Sequence, residues 1–141
     1  MSGLDQLLRL QKWTLDEKRR QALDLETLAD KLKNDIVLLD QEVAREIATA
    51  QESIDLQRGL PAYRKMMQER RERIESSIAN LQVELQRLQD EIAEAFGELK
   101  KTEQAIQNRK QRQQMQERRR EQIVSDELGI DLHRRRKSQE S

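Results

Sequence analysis

A stripe of apolar residues runs Ile74, Ile78, Leu81, Leu85, Leu88, Ile92, Ala95, Leu99, Thr102, Ile106, alternating steps of three and four. Sustained over this distance, that spacing predicts an α-helix that lays one seam along a partner helix. A second stripe precedes it: Leu4, Leu8, Gln11, Leu15, Lys18, Ala22, Leu25, Ala29, Leu32, Ile36, Leu39, Val43. Gln11 and Lys18 weaken its early part. The steps from Leu39 to Val43 to Ile47 are both four residues, a stutter that locally unwinds a supercoil.

Between the two stripes stand Gly59 and Pro61, the chain's only proline. Glycine can end a helix with positive φ, and proline at a first helical position loses no hydrogen bond. Proline inside a continuous helix would cost about 3 kcal/mol, so a hairpin is favoured over one unbroken helix forming a parallel dimer. The expected fold is all-α: a long antiparallel two-helix coiled coil over residues 1–125, turning near 58–61, with Ser2 as N-cap. Folding about 59 or 60 sets Leu15 near Ile106 and Leu4 near Met115. Beyond Ser125 the periodicity fades, Gly129 interrupts it, and residues 126–141 read as a polar tail open to disorder.

Composition limits what else the chain can be. With 35% hydrophobic, 2% aromatic and 38% charged residues, it can bury a seam and little more. The absence of cysteine removes disulfides, thiolate metal sites and thiol nucleophiles together. No apolar run is long enough for a membrane span, and residues 1–13 lack the pattern of a secretory signal, which makes the cytosol the plain expectation. His133, the one histidine, has no metal-ligand partners in sequence, and no glycine-rich phosphate loop is present. The chain is therefore expected to be no enzyme and to hold no cofactor or metal, leaving its outer faces and ends to bind protein.

Three surfaces stand out. Trp13 points away from the Leu8 and Leu15 seam, with Leu10 on nearly the same stripe. A large rigid ring there suits a partner contact, although covering a slightly rotated seam is the alternative. Toward the turn, Leu38 points outward from Ile36 and Leu39, while Tyr63, Met66 and Met67 open the second stripe. These residues either form a surface or close the hairpin end over Ile54, Leu56 and Leu60. The third surface is the basic run containing Arg118, Arg119 and Arg120. Net charge is zero overall, yet residues 109–137 carry ten basic and five acidic side chains. A solvated helical face and an acidic protein partner both fit this run. Nucleic acid fits less well, since no aromatic residues are present to stack on bases.

The opening LDQLLRLQKWTLDEKRRQA, Leu4 to Ala22, resembles the Leu-x-x-Leu-x-Arg-Leu start and following Asp-Glu-Lys-Arg of the FliJ family, small coiled-coil proteins of the bacterial flagellar type III export ATPase complex. The later ERRREQIVSDELG, Glu117 to Gly129, is similar to that family's charged C-terminal stretch. Length, two-helix plan and midpoint turn agree across nearly the whole chain. The resemblance implies a fold like the stalk of the rotary ATPase gamma subunit. It also implies a non-enzymatic role coupling the hexameric export ATPase ring to the export gate membrane protein, with a further association with export chaperones. On that reading Leu10, Trp13, Arg118, Arg119 and Arg120 fall at the ring end, and Tyr63 and Met66 at the other. The protein would be cytoplasmic and held at the flagellar base by protein partners, without membrane insertion or nucleic-acid binding. A general cytosolic coiled-coil scaffold or chaperone would use the same stripes.

Overall fold

The computed structural model describes residues 3–140 as two helices, α1 over Gly3–Ala50 and α2 over Ile54–Glu140. The two helices pack together as a helical hairpin, and the chain divides into two units, Lys12–Phe96 and Met1–Gln11 with Gly97–Ser141.

In the Lys12–Phe96 unit the helices run antiparallel. Lys18 Nζ reaches Glu91 Oε2 at 3.2 Å, and Arg71 Nε reaches Asp40 Oδ1 at 3.1 Å, so residues further along α1 meet residues earlier in α2. The buried positions recur with the heptad: Leu15, Ala22, Ala29, Leu39 and Ala50 on α1, Met67, Ile78 and Leu88 on α2. Alanines at three of these sites keep the seam narrow, so the helices approach closely with little apolar bulk between them. Most other seam residues, Leu25, Leu32, Ile36 and Val43 among them, are half-buried, as befits a core only two helices wide.

The turn lies earlier in the chain than the sequence suggested. It comprises Gln51–Ser53 rather than residues 58–61. Backbone bonds from Glu52 N to Thr49 O (3.1 Å) and from Ser53 N to Ala50 O (3.4 Å) fold it. Ser53 then starts α2, its Oγ accepting from Leu56 N at 3.5 Å while its carbonyl accepts from Gln57 N at 3.1 Å, the geometry of an N-cap. No described residue has positive φ, so this turn does not need glycine. Gly59 and Pro61 sit inside α2 instead. The apolar stripe explains why: Leu60 and Tyr63 are half-buried and Met67 is buried, so the seam of α2 begins before the proline. Packing that stripe offsets the hydrogen bond that Pro61 withholds from the carbonyl of Gln57.

The stutter on α1 has a counterpart. Opposite Leu39, Val43 and Ile47, α2 also takes two successive steps of four, Tyr63 to Met67 to Arg71. A shallow groove opens there, lined by Leu39, Val43, Ile47, Met67 and Arg71 among others. Two locally unwound stretches face one another, and the Asp40–Arg71 pair closes the edge of the gap.

In the other unit, Asp5 shares a pocket with Ile106, Arg109, Lys110 and Gln113, whereas the expected fold placed Leu4 near Met115. The earlier turn moves the whole register toward the N-terminus of α2. Leu99 and Thr102 are buried, the threonine hydroxyl donating to the carbonyl of Glu98 at 3.2 Å, so its polar atom is satisfied within its own helix. From Gln107 to Glu140 every residue is exposed. Residues 126–140 are helical, where the fading sequence pattern left the tail open to disorder: Gly129 at φ below zero is accommodated within the helix at a cost of about 1 kcal/mol. Ser2, expected to cap α1, lies outside the described residues. No helix among the described residues is long and apolar enough to cross a membrane.

Candidate protein-binding surfaces

Trp13 is 62% exposed and Leu10 59%. Both stand on α1 outside its seam, with Leu8, Gln11 and Leu15 taking the inward positions. An indole this open to water does not cover the seam. Its apolar area is available to another surface. Trp13 belongs to the Lys12–Phe96 unit and Leu10 to the other.

The turn-proximal group divides. Met67 is 3% exposed and is a core residue; it is withdrawn from the candidate surface, because the α2 stripe starts early enough to draw it into the groove opposite Val43. Tyr63 is half-buried and lines a pocket with Glu46, Ala50, Asp55, Leu56, Gly59 and Leu60. Its hydroxyl is buried without a hydrogen-bond partner. Burial raises the phenol's pKa, the carboxylates of Glu42 and Glu46 raise it further, and Arg70 opposes them. Met66 and Leu38 remain outward and exposed, as do Ile54 and Leu56. The hairpin end is therefore only partly closed: Tyr63 and Leu60 turn in, while Ile54, Leu56 and Met66 leave apolar area facing water.

Arg118, Arg119 and Arg120 lie on the exposed part of α2. Among the described residues these three and Arg112 make no ion pair. Within the Lys12–Phe96 unit, Arg71 bridges Asp40 and Glu75, and Arg87 bridges Glu84 and Glu91. Hydrogen bonding to Asp40 is the first cause of the raised Arg71 pKa, with the charges of Asp40 and Glu75 adding to it. Arg71 thus serves the hairpin, and the three arginines beyond Met115 are left to solvent or a partner.

Two features escaped the sequence reading. Asp40–Arg71 is a two-pronged contact, with a second bond from the guanidinium to Asp40 Oδ2 at 3.3 Å. Its signal would have been an arginine at the stripe position between Met67 and Ile74. The other is an apolar set on the distal helix, Val124, Leu128, Ile130 and Leu132, each more than half exposed. The spacing of Val124, Leu128 and Leu132 by four residues was legible, but a polar tail was read in its place. No group of three or more His, Cys, Asp or Glu among the described residues is placed to hold a metal. Comparison of the chain with family models, curated proteins and solved structures found no match.

Proposed function

We propose that this chain is a non-enzymatic stalk and adaptor of the flagellar protein-export apparatus, coupling the hexameric export ATPase to the export gate membrane protein and associating with export chaperones. The observation that carries the reading is the part of α2 exposed from Gln107 to Glu140, whose stretch over residues 109–120 is strongly basic. An exposed helical face of this kind suits protein binding. A ring with an acidic inner wall would receive Arg118, Arg119 and Arg120 by charge complementarity. Leu10 and Trp13 would supply apolar anchors for the ATPase, and Leu38, Tyr63 and Met66 for the gate protein. In this arrangement the protein sits in the cytoplasm at the flagellar base through its protein partners.

Affinity capture from the protein's own cell extract, read by mass spectrometry, tests the proposal. Joint recovery of the export ATPase and the gate protein is expected, and recovery of neither overturns it in favour of a general coiled-coil scaffold or chaperone. Trp13→Ala should preserve helicity by circular dichroism while weakening ATPase association. Loss of the coil on that substitution would assign the indole to packing.

A further inference from the structure

The exposed part of α2 is built of two blocks of opposite character. Residues 109–120 contain six basic side chains and one acidic one. Residues 121–132 contain four acidic side chains, no basic one, and Ile123, Val124, Leu128, Ile130 and Leu132, all five more than half exposed. Ile123 and Ile130 fall at the heptad position of Thr102, after a stretch in which Arg109, Gln113, Gln116 and Arg120 hold the seam positions. Val124, Leu128 and Leu132 form a second stripe beside them. A single helix of this length draws little stability from hydrogen bonds alone and gains most from packing an apolar face.

We propose that this overhang is a docking surface for a second copy of the chain, the two helices lying antiparallel and crossing near Arg120 and Glu121. That crossing sets the basic block of each copy on the acidic, apolar block of the other. Arg120 lies opposite Glu121, Lys110 and Arg112 lie nearest Asp131, and Arg118 and Arg119 come within about one turn of Asp126; one two-fold axis forms both halves of the contact. A parallel pairing would oppose basic block to basic block and acidic block to acidic block, which charge repulsion disfavours. Attraction between the blocks holds the dimer, and the isoleucine and leucine stripes lie along the aliphatic stems of the facing arginines, lysines and glutamines. Because Arg118 to Arg120 are used, the dimer and an ATPase-bound form exclude one another. Self-association would keep these apolar stripes covered until a competing partner takes the site.

Sedimentation equilibrium of the purified full chain, with no ATPase present, tests this independently of the stalk reading. Twice the chain mass is expected at low salt, with the association weakened about tenfold or more as salt screens the blocks. Arg118→Glu, Arg119→Glu, Arg120→Glu in one chain should abolish self-association, and so should Glu121→Arg, Asp126→Arg, Glu127→Arg in another. Mixing the two charge-swapped chains should restore a dimer, an outcome that misfolded variants would not give. Spin labels at Gln122 should lie close across the dimer and labels at Gln107 far apart. The proposal is overturned by a chain that stays monomeric to about 100 μM, a concentration at which even weak helix pairing registers. A dimer indifferent to both charge swaps, a mixture that fails to associate, or short distances at both label sites would each overturn it as well.

Discussion

Met67 shows how one step of the stripe decides a residue's role. From sequence it shares a cluster with Met66 and Tyr63; in the structure one residue of rotation along the helix separates a methionine that is buried from a neighbour that is exposed. Met67→Ala should therefore lower stability by about 2–5 kcal/mol, the usual cost of removing a buried methionine side chain, while Met66→Ala should change it little. Chemical denaturation of the two variants checks the contrast. Tyr63 supplies a second measurable distinction. Its raised pKa, caused first by burial and then by Glu42 and Glu46, means the folded state holds the phenolic proton more tightly than the unfolded chain. The resulting stability is fully present below the ordinary phenol value of 10.0 and is lost as pH rises through the higher folded value. Tyr63→Phe should flatten that alkaline loss and be neutral or stabilising at pH 7, since it removes a hydroxyl buried without a partner. Thermal melts of both chains from pH 7 to 11 measure it, and parallel slopes would exclude Tyr63 as the source.

At the scale of the element, the two helices and their seams were legible because apolar periodicity is a property of the chain itself. The turn was not, because Gly59 and Pro61 are strong local signals that here lose to packing. Leu60, Tyr63 and Met67 gain more by joining the seam than the helix loses at the proline, and Ser53 offers a cap that Gly59 does not need to replace. Misplacing the turn misplaced the register, and with it the extent of the unpaired helix. The same competition explains the tail: residues 126–140 read as polar when counted, but as helical stripes when spaced by four. Since Pro61 stands at the eighth residue of α2, with the carbonyl of Gln57 deprived of its donor, Pro61→Ala should stabilise the hairpin by as much as about 3 kcal/mol. Unfolding in urea gives the value, and a destabilised variant would show that the proline instead fixes the start of α2.

For the whole molecule, the decisive division is between helix that carries the core and helix that carries none. Every buried residue on α2 lies at or before Thr102, and residues 107–140 are exposed throughout. A chain ending after Gln113 keeps Asp5 with Ile106, Arg109 and Lys110, and it keeps the cross-helix pairs Lys18–Glu91 and Asp40–Arg71. Its melting temperature should therefore stay within about 4 °C of the full chain's, because only exposed surface has been removed. Its far-ultraviolet helical signal should fall by the share of the residues deleted. The proposed functions should not survive the same cut. The truncated chain loses Arg118, Arg119 and Arg120 along with the apolar stripes at Ile123 and Val124, so capture of the export ATPase should disappear, and self-association with it. Retention of ATPase capture by a truncated chain with an unchanged melt would place the binding energy on α1, with Leu10 and Trp13 as its carriers, and would remove the overhang from the proposed ring contact.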